Sequence, residues 1–366
     1  MQIPKIILYY GFTPIKDPDA IRLWQQNLAE SLNLKGRIII AKHGINGTVG
    51  GDIEDLRKYV KLTKRYSGFK KIDFKWSDGT GDDFPKLSVK VKSELVAFGD
   101  PDEISVDENG VVGGGVHLKP YEVDKLVAER GEEVIFFDGR NAFEAKIGKF
   151  KNAILPNVTS SRDFVDEIES GKYDHIKDKP IVTYCTGGIR CEILSSVMKK
   201  RGFKEVYQIE GGIVRYGKKF GDDSLWEGSL FTFDARLAID FSKKTKVIGE
   251  CEKCSKPTKQ FYNCANLACH ELVLLCDECA NYDVNQGCTT ACGGCCCSPS
   301  YGTYLSQFCS GYDLYYTYSD GCNGTYSSLV ESNSASCGYT PPANDCYNFF
   351  SDGSGWWEGI DCNNNR

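Results

Sequence analysis

The chain has 366 residues, which is longer than one ordinary domain and predicts two or three. Charged residues make up 26% of it, and the formal net charge of −6 arises after residue 292, where seven acids and one base occur. No run of about 18 apolar residues is present, which excludes a membrane-spanning helix, and the first residues lack the apolar core of a signal peptide. We therefore expect a cytoplasmic protein that does not bind membranes.

The first 99 residues predict a small α+β domain of the ferredoxin or acylphosphatase type. Its first helix begins at the capping residue Asp17, with Pro18 in the first turn. The expected elements are a strand at 6–13, a helix at 17–32, a strand at 37–41, a helix at 52–66, and strands at 71–76 and 87–98. Residues 43–51, HGINGTVGG, predict a glycine-rich turn. Two interpretations of residues 43–48 stay open: their asparagine and amides face an active cleft, or they form a simple turn from a strand to a helix.

A basic stripe runs from Arg57 to Lys92. This segment contains eleven basic residues and only four acidic ones, and six aromatic residues lie between them in the sequence. Such a stripe can bind phosphates through its bases and stack unpaired nucleobases, as an anticodon loop requires. For the aromatic residues we favour a place in the core, and for the bases RNA contact and a solvated face stay open. The candidate RNA-binding residues are Lys64, Arg65, Lys70, Lys71, Lys86 and Lys90.

Residues 100–119 are rich in Gly, Asp and Glu and predict a linker with its most flexible point at 113–115. Strands then alternate with helices, which predicts a parallel sheet covered on both faces. The expected elements are strands at 134–138, 181–185 and 206–212, an apolar cluster at 152–157, and helices at 161–169 and 192–201. In such sheets ligands bind beyond the carboxyl ends of the strands.

The segment YCTGGIRCE, residues 184–192, joins one of these strands to a helix. Its loop amides and the helix dipole can stabilise a thiolate or a bound anion, which makes Cys185 the predicted chemical centre and Arg190 its source of positive charge. A buried structural Cys185 is the less favoured interpretation, because strand, glycine loop, arginine and helix coincide. Cys191 either resolves an oxidised or persulfidated Cys185 or packs in the first helical turn.

The other sixteen cysteines all follow residue 250, and their clustering in a cytosolic chain favours metal binding over disulfides. Two Cys-x2-Cys pairs 21 residues apart predict a structural tetrahedral zinc site with the ligands Cys251, Cys254, Cys276 and Cys279. A second site is predicted from Cys264, Cys269, Cys288 and Cys292. The alternative is that these cysteines are reduced thiols without a metal. We disfavour it because the segment is small and polar.

From residue 295 the chain is acidic, lacks lysine and is rich in Tyr, Gly, Ser, Asn and Cys. This tail resembles a short module repeated in phage and marine bacterial surface proteins. Its low aliphatic content is equally typical of a poorly ordered appendage.

The Cys-x4-Arg loop, with Asp138-Gly-Arg140 after an earlier strand and Glu210-Gly-Gly212 after a later one, resembles the rhodanese domain. The resemblance implies that Cys185 can carry a persulfide. The loop is one residue shorter than the loop with which the related phosphatases bind phosphate, and this shorter length argues against phosphate ester hydrolysis. We interpret Asp138 and Arg140 as supports of the sheet.

Further segments resemble the bacterial tRNA uridine hydroxylase family TrhO over about residues 3–292. The matching segments are HGINGTVGG, FPKLSVKVKSELVAFG, FDGRNAFEAKIGKFKNAILPN, YCTGGIRCE, YQIEGGIVRY and LWEGSLFTFDARLA. The family implies an acylphosphatase-like domain joined to a rhodanese domain. It also implies oxygen-dependent conversion of uridine 34 of tRNA to 5-hydroxyuridine at Cys185, with O2 as co-substrate and the anticodon arm as partner.

Two other functions stay open beside this hydroxylase. The loop alone favours a sulfurtransferase that uses a Cys185 persulfide, and a non-catalytic RNA-binding scaffold is disfavoured by the intact Cys185 and Arg190. No motif for an organic cofactor is evident. The predicted fold is a multidomain α/β chain with these parts: an acylphosphatase-like domain at 1–99, a linker at 100–119, a rhodanese domain at 120–225, a Cys-rich zinc-knuckle-like module at 226–294 and an irregular tail at 295–366.

Overall fold

The computed structural model describes residues 3–263 and 272–280, and the backbone of five strands between residues 304 and 360. The chain divides into two compact units. The first comprises Met1–Cys251 and Ser255–Gln260, and the second comprises Glu252–Cys254 and Phe261–Arg366. Among the helices of the described residues, none is both long enough and apolar enough to cross a membrane.

The first unit begins with a five-stranded sheet that carries two helices. Its elements are β1 (Pro4–Phe12), α1 (Pro18–Ser31), β2 (Lys35–Ala41), β3 (Gly44–Asp52), α2 (Ile53–Thr63), β4 (Asp73–Asp78) and β5 (Leu87–Val91). The strand order is β4-β1-β3-β2-β5, and all neighbours are antiparallel except β2 and β5. The predicted ferredoxin or acylphosphatase-like fold is confirmed, with β5 as an added edge strand.

Helix α1 begins as the sequence predicts. The side chain of Asp17 accepts a hydrogen bond of 3.0 Å from the amide of Ala20, and Pro18 occupies the first turn. Trp24 and Leu28 pack on the sheet core from one face of the helix. Local capping and apolar spacing therefore suffice to place this helix.

The predicted turn at residues 43–51 is wrong under both interpretations, because this segment forms β3 in the middle of the sheet. Ile45 and Val49 are fully buried and alternate with residues of the other face. A Cβ atom at Gly47 would lie 2.4 Å from the ring of Tyr9, so the glycine that suggested a turn is required by close packing. Pairing along nine residues with β1 overrides the weak strand propensity.

The segment after β5 differs from the predicted strand over 87–98. Leu95 and Phe98 are almost fully buried, and the Phe98 ring stacks on Phe164 at a centroid distance of 5.9 Å. Residues 100–119 contain the short strands β6 (Val106–Asp107), β7 (Gly110–Val111) and β8 (Val116–Leu118). The amide of Gly115 donates a 2.8 Å hydrogen bond to Ser195 Oγ, which ties this segment to the next domain.

A second, parallel sheet follows. Its strand order is β8-β12-β11-β9, and helices cover both faces, as predicted. The elements are α3 (Pro120–Arg130), β9 (Ile135–Asp138), α4 (Ala142–Ala145), β10 (Gly148–Phe150), α5 (Phe164–Glu169), β11 (Pro180–Tyr184), α6 (Ile189–Lys200), β12 (Glu205–Ile209) and α7 (Gly212–Phe220). Phe137 and Ile181 face one core and Phe136 and Val182 the other, because side chains alternate along a strand.

Short antiparallel pairs make up the described remainder. β13 (Trp226–Gly228) pairs with β10, β14 (Leu230–Phe231) with β15 (Ala238–Ile239), and β16 (Phe261–Asn263) with β17 (Leu272–Leu274). In the tail, β18 (Tyr304–Ser310), β19 (Asp313–Ser319) and β20 (Thr325–Glu331) form one sheet, and β21 (Asn348–Ser351) and β22 (Trp357–Ile360) form another. Part of the tail is therefore strand, which suits its aromatic and β-branched residues.

Candidate active site and metal centre

Cys185 directly follows β11 at the carboxyl end of the parallel sheet and is 1% exposed. Its Sγ accepts a 3.2 Å hydrogen bond from the amide of Gly188, the residue that caps α6. Gly188 has φ +104°, and a Cβ atom there would lie 2.8 Å from the hydroxyl of Tyr10. The amide at the start of α6 therefore faces the sulfur, and α6 begins three residues earlier than expected.

The first turn of α7 is hydrogen-bonded to the Cys185 loop. The amide of Ile213 donates a 3.0 Å hydrogen bond to the carbonyl of Cys185, and the amide of Val214 donates one of 3.1 Å to that of Thr186. The Glu210-Gly-Gly212 motif thus lies beside the loop, because both follow neighbouring parallel strands.

The surroundings of Cys185 favour a thiolate. Burial alone raises the pKa of its thiol, but hydrogen bonds from Cys191 and the amide of Gly188, together with the charge of Arg190, outweigh burial and lower that pKa to about 6. Burial and the neighbouring Cys185 raise the pKa of Cys191 well above its usual value. Cys191 therefore stays a thiol that donates to the Cys185 thiolate.

Alkylation of Cys185 by iodoacetamide is expected to rise with pH around a midpoint of about 6, because the thiolate is the reactive form above the pKa of the folded state. Peptide mapping by mass spectrometry isolates this cysteine from the others. In a Cys191→Ala variant the midpoint is expected to move upward, since one hydrogen bond to the thiolate is lost. A midpoint near that of a free thiol, about 8.5, in the unaltered protein would contradict the assignment.

Arg190 is 8% exposed and binds a carboxylate that the sequence analysis missed. Its Nη1 and Nη2 atoms lie 2.5 Å and 2.9 Å from the two carboxylate oxygens of Glu144, which is fully buried, and Nη2 also donates to Thr186 Oγ1 at 3.2 Å. Glu144 additionally accepts a hydrogen bond from the amide of Asn141. In the sequence, Glu144 could have been noticed as part of a capping box at the start of α4. That pattern indicates a helix cap and does not identify a partner for Arg190.

Asp138 and Arg140 form a second buried ion pair at the end of β9. Arg140 Nε and Nη2 lie 2.9 Å and 2.7 Å from the carboxylate oxygens of Asp138, and Nη2 also donates to the carbonyl of Gly148 at 2.7 Å. The guanidinium lies 5.2 Å from the ring centre of Trp226. These contacts join β9 to β10 and brace the sheet.

The N-terminal sheet covers the Cys185 loop. Lys75 on β4 has a side chain that is only 7% exposed, lies 3.2 Å from Asp73 and sits 4.9 Å from the ring centre of Tyr10. Burial lowers the pKa of Lys75, which the carboxylate of Asp73 and the nearby Cys185 partly offset. Asp73 in turn lies 2.6 Å from Nη2 of Arg215 on α7. Tyr10, Lys75 and Arg215 are site residues that the sequence analysis did not identify.

Glu192, in the first turn of α6, is the centre of a hydrogen-bond network. Its Oε1 lies 2.9 Å from the hydroxyl of Tyr10 and 2.9 Å from Nε2 of His117, and its Oε2 lies 2.8 Å from the amide nitrogen of Gln208. The hydrogen bond to Glu192 raises the pKa of His117, and burial only partly opposes this. His117 offers no partner pattern in the sequence, because its partners Glu192 and Gln208 lie on two other elements that are distant in the chain.

A large cleft, which we call the basic cleft, adjoins this network. Its volume is about 1190 Å³, and its walls come from the N-terminal domain and from the segment around residues 108–117. The lining residues that matter here are Tyr10, Lys16, Lys70, Lys71, His117 and Glu192.

The structure brings only some of the candidate RNA-binding residues together. Lys64 and Arg65 directly follow α2, and Lys70 and Lys71 line the basic cleft before β4. Lys90 lies on β5, and Lys86 directly precedes it. Since β4 and β5 are opposite edges of the sheet, four strand spacings or roughly 19 Å separate the two groups.

Four cysteines form a cluster with the geometry of a metal site. The sulfur atoms of Cys251, Cys254, Cys276 and Cys279 all lie within 4.8 Å of one another, and those of Cys254 and Cys276 are 3.6 Å apart. Tetrahedral zinc with bonds of about 2.3 Å to sulfur places its ligands about 3.8 Å apart, so this cluster can bind a metal ion. The predicted second set, Cys264, Cys269, Cys288 and Cys292, lies outside the described residues.

Comparison with known proteins extends these observations. Family models match the UPF0176 acylphosphatase like domain at residues 4–95, the rhodanese-like domain at 119–219 and the rhodanase C-terminal domain at 227–293. A protein named tRNA uridine(34) hydroxylase from Corynebacterium jeikeium (strain K411) is 66% identical over 276 residues, which cover 75% of this chain and 89% of that protein. One of the same name from Arthrobacter sp. (strain FB24) is 61% identical over 295 residues, 80% of this chain and 99% of that protein. The chain therefore belongs to the tRNA uridine(34) hydroxylase family.

Proposed function

We propose that this protein hydroxylates uridine 34 of tRNA to 5-hydroxyuridine, with O2 as co-substrate and Cys185 as the central residue. The observation that carries the proposal is the loop at residues 185–190, in which the amide of Gly188 donates to the Cys185 sulfur, in a chain 66% and 61% identical to two relatives named for this activity. A thiolate with a pKa of about 6 is a nucleophile at neutral pH. Cys185 and Arg190 are the proposed catalytic residues, and Cys191 tunes the thiolate.

The anticodon arm is the proposed binding partner. Uridine 34 lies in an unpaired loop, and moving an unpaired base into a covered site costs little. Lys70 and Lys71 supply positive charge in the basic cleft, Lys64 and Arg65 supply it after α2, and Lys86 and Lys90 supply it at the far edge of the sheet. Because tRNA is the substrate, we place the enzyme in the cytoplasm.

Expression of the protein in a strain without its own hydroxylase tests this function. Nucleoside mass spectrometry of the tRNA is expected to show 5-hydroxyuridine, and incubation of purified enzyme and tRNA without O2 is expected to prevent its formation. If 5-hydroxyuridine never appears in cells that contain the folded protein, the hydroxylase proposal is wrong.

A rhodanese-type sulfurtransferase is the second candidate, favoured by the six-residue loop from Cys185 to Arg190. It predicts rapid transfer of sulfur from thiosulfate to cyanide by the same purified protein. Rapid transfer without tRNA hydroxylation would favour this candidate over the first.

We further propose five parts of the chain with boundaries at 99, 119, 225 and 294, which the family matches at 4–95, 119–219 and 227–293 support. We assign the four-cysteine cluster a structural zinc ion. Cysteine thiolates at these separations suit zinc, which fixes short polar segments that lack a core of their own.

Elemental analysis of the purified protein is expected to show at least one zinc ion per chain. Cys279→Ser is expected to lower the zinc content by one, because it removes one of four ligands, whereas Cys309→Ser, outside both predicted sets, leaves it unchanged. A second zinc ion that is lost on Cys288→Ser would support the second predicted site. Protein without zinc would overturn both assignments.

A further inference from the structure

Three lysines of the basic cleft have no ion-pair partner in the part of the chain that the structure describes. Lys16, Lys70 and Lys71 are all exposed, and no carboxylate lies within ion-pair distance of their ammonium groups in the residues that the structure describes. By contrast, Lys58 lies 3.0 Å from Asp55, and the buried Lys75 lies 3.2 Å from Asp73. The three cleft lysines are therefore available to a bound anion.

Most acidic side chains that line the basic cleft already accept hydrogen bonds from other groups of the protein. Asp17 caps α1 through its hydrogen bond with the amide of Ala20. Glu192 is 8% exposed and accepts hydrogen bonds from Tyr10, Gln208 and His117. Glu108, on the turn between β6 and β7, is exposed at the rim. The cleft wall therefore presents more available positive than negative charge.

His117 adds a further donor to this wall. Its side chain is 46% exposed, and its Nε2 is held by Glu192, so the ring has a fixed orientation at the cleft. The groups that face the ring are Glu192 from α6 and the neutral Gln208 from β12, with Glu210 nearby, and Tyr10 from β1 binds the same Glu192 carboxylate. The carboxylates of Glu192 and Glu210 favour the imidazolium form.

The basic cleft adjoins the candidate active site through Tyr10. Tyr10 lines the cleft, and its hydroxyl lies against Gly188, whose amide binds the Cys185 sulfur. Its volume of about 1190 Å³ exceeds that of usual small-molecule pockets, about 300–1,000 Å³, and suits a segment of polymer.

We infer that the basic cleft binds the phosphodiester backbone of the RNA strand next to the reacting nucleotide, with Lys16, Lys70 and Lys71 on the phosphates and His117 as a donor to the same strand. The inference rests on the proposed tRNA substrate. It adds Lys16 and His117 to the RNA-binding residues and makes Glu192 a positioning residue, since it acts by holding His117.

Fluorescence anisotropy with a labelled anticodon stem-loop tests the inference without any need for turnover. Lys16→Ala and Lys71→Ala are each expected to weaken binding roughly threefold or more and to lower the slope of log Kd against log salt by about 1, because each removes one phosphate contact. Lys125→Ala is the matched control: it removes an exposed lysine of α3 that does not line the cleft. Circular dichroism checks that the variants are folded.

The histidine is tested by pH. Binding is expected to tighten from about pH 8 to about pH 6 as His117 gains a proton, and His117→Gln is expected to remove most of that change. Cys185 ionises in the same range, so both proteins carry Cys185→Ala in this series. If the pH dependence persists in His117→Gln, the role of His117 is wrong.

The outcomes separate this inference from the hydroxylase proposal. If the cleft variants bind RNA as tightly as the unaltered protein, the inference is wrong. The hydroxylase proposal is then still tested separately by the measurement of 5-hydroxyuridine in cells. Cleft-dependent RNA binding without hydroxylation supports the inference and overturns the proposed reaction. Failure of the unaltered protein to bind the stem-loop overturns the inference, and the tRNA assay in cells alone then decides the hydroxylase proposal.

Discussion

Cys185→Ala is expected to lower the rate of 5-hydroxyuridine formation at least about 1000-fold, because it removes the thiolate at the centre of the site. The variant keeps the fold, since alanine fits the space of a buried cysteine and the loop carbonyls stay bound to α7. The measurement is nucleoside mass spectrometry of tRNA after incubation with equal amounts of the two proteins. Binding of the stem-loop is expected to be unchanged.

Cys191→Ala is the matched control for this experiment. It removes a buried cysteine in the first turn of α6 but leaves the Cys185 sulfur and the amide of Gly188 in place. If Cys191 only tunes the thiolate, this variant keeps most of its activity at a pH well above 6 and loses more at lower pH, because its Cys185 ionises at higher pH. Equal loss in both variants would instead give Cys191 an obligatory chemical role, and full activity of Cys185→Ala would disprove the central role of Cys185.

Arg190→Met is expected to lower the free energy of unfolding by about 3–5 kcal/mol, because it leaves the fully buried carboxylate of Glu144 without its bidentate partner. Urea denaturation, followed by intrinsic fluorescence, measures the change. The double variant Glu144→Leu with Arg190→Met is expected to recover much of the loss, since no buried charge then remains unpaired.

The surface pair Arg130 and Glu205 provides the matched control. Their side chains are 35% and 38% exposed at a distance of 2.8 Å, so Arg130→Met exposes its partner to water and is expected to cost far less. A similar loss in Arg130→Met and Arg190→Met would show that burial of the Glu144 pair contributes little to stability.

Residues whose partners are near in sequence were predictable. Asp17 caps a helix three residues away, and Gly188 donates to a sulfur three residues before it. The four cysteines of the metal cluster were also predictable, because two Cys-x2-Cys pairs are a recognised pattern of metal ligands, and their sulfur atoms do lie close together. Short spacing patterns of this kind can be recognised directly in the sequence.

Residues whose partners are distant in sequence were not predictable. His117 lies 75 residues from Glu192, and Tyr10 lies 182 residues from it, yet all three meet at one site. Residues 43–51 have the composition of a turn, and only their pairing between β1 and β2 makes them a strand. Lys90 and Lys70 belong to one basic stripe in sequence but to opposite edges of the sheet.

By itself, the sequence determined the Cys185 loop, the helix that follows it and the order of the two folded domains, because these depend on short spacing and apolar periodicity. Only the tertiary structure decided that Glu144 holds Arg190, that β1 and β4 cover the thiolate, and that Lys16 and His117 face one cleft. Glu144 and Arg190 meet because they follow the neighbouring parallel strands β9 and β11, and the other contacts arise when the two sheets pack together. No local pattern in the chain encodes which distant side chains these arrangements bring into contact.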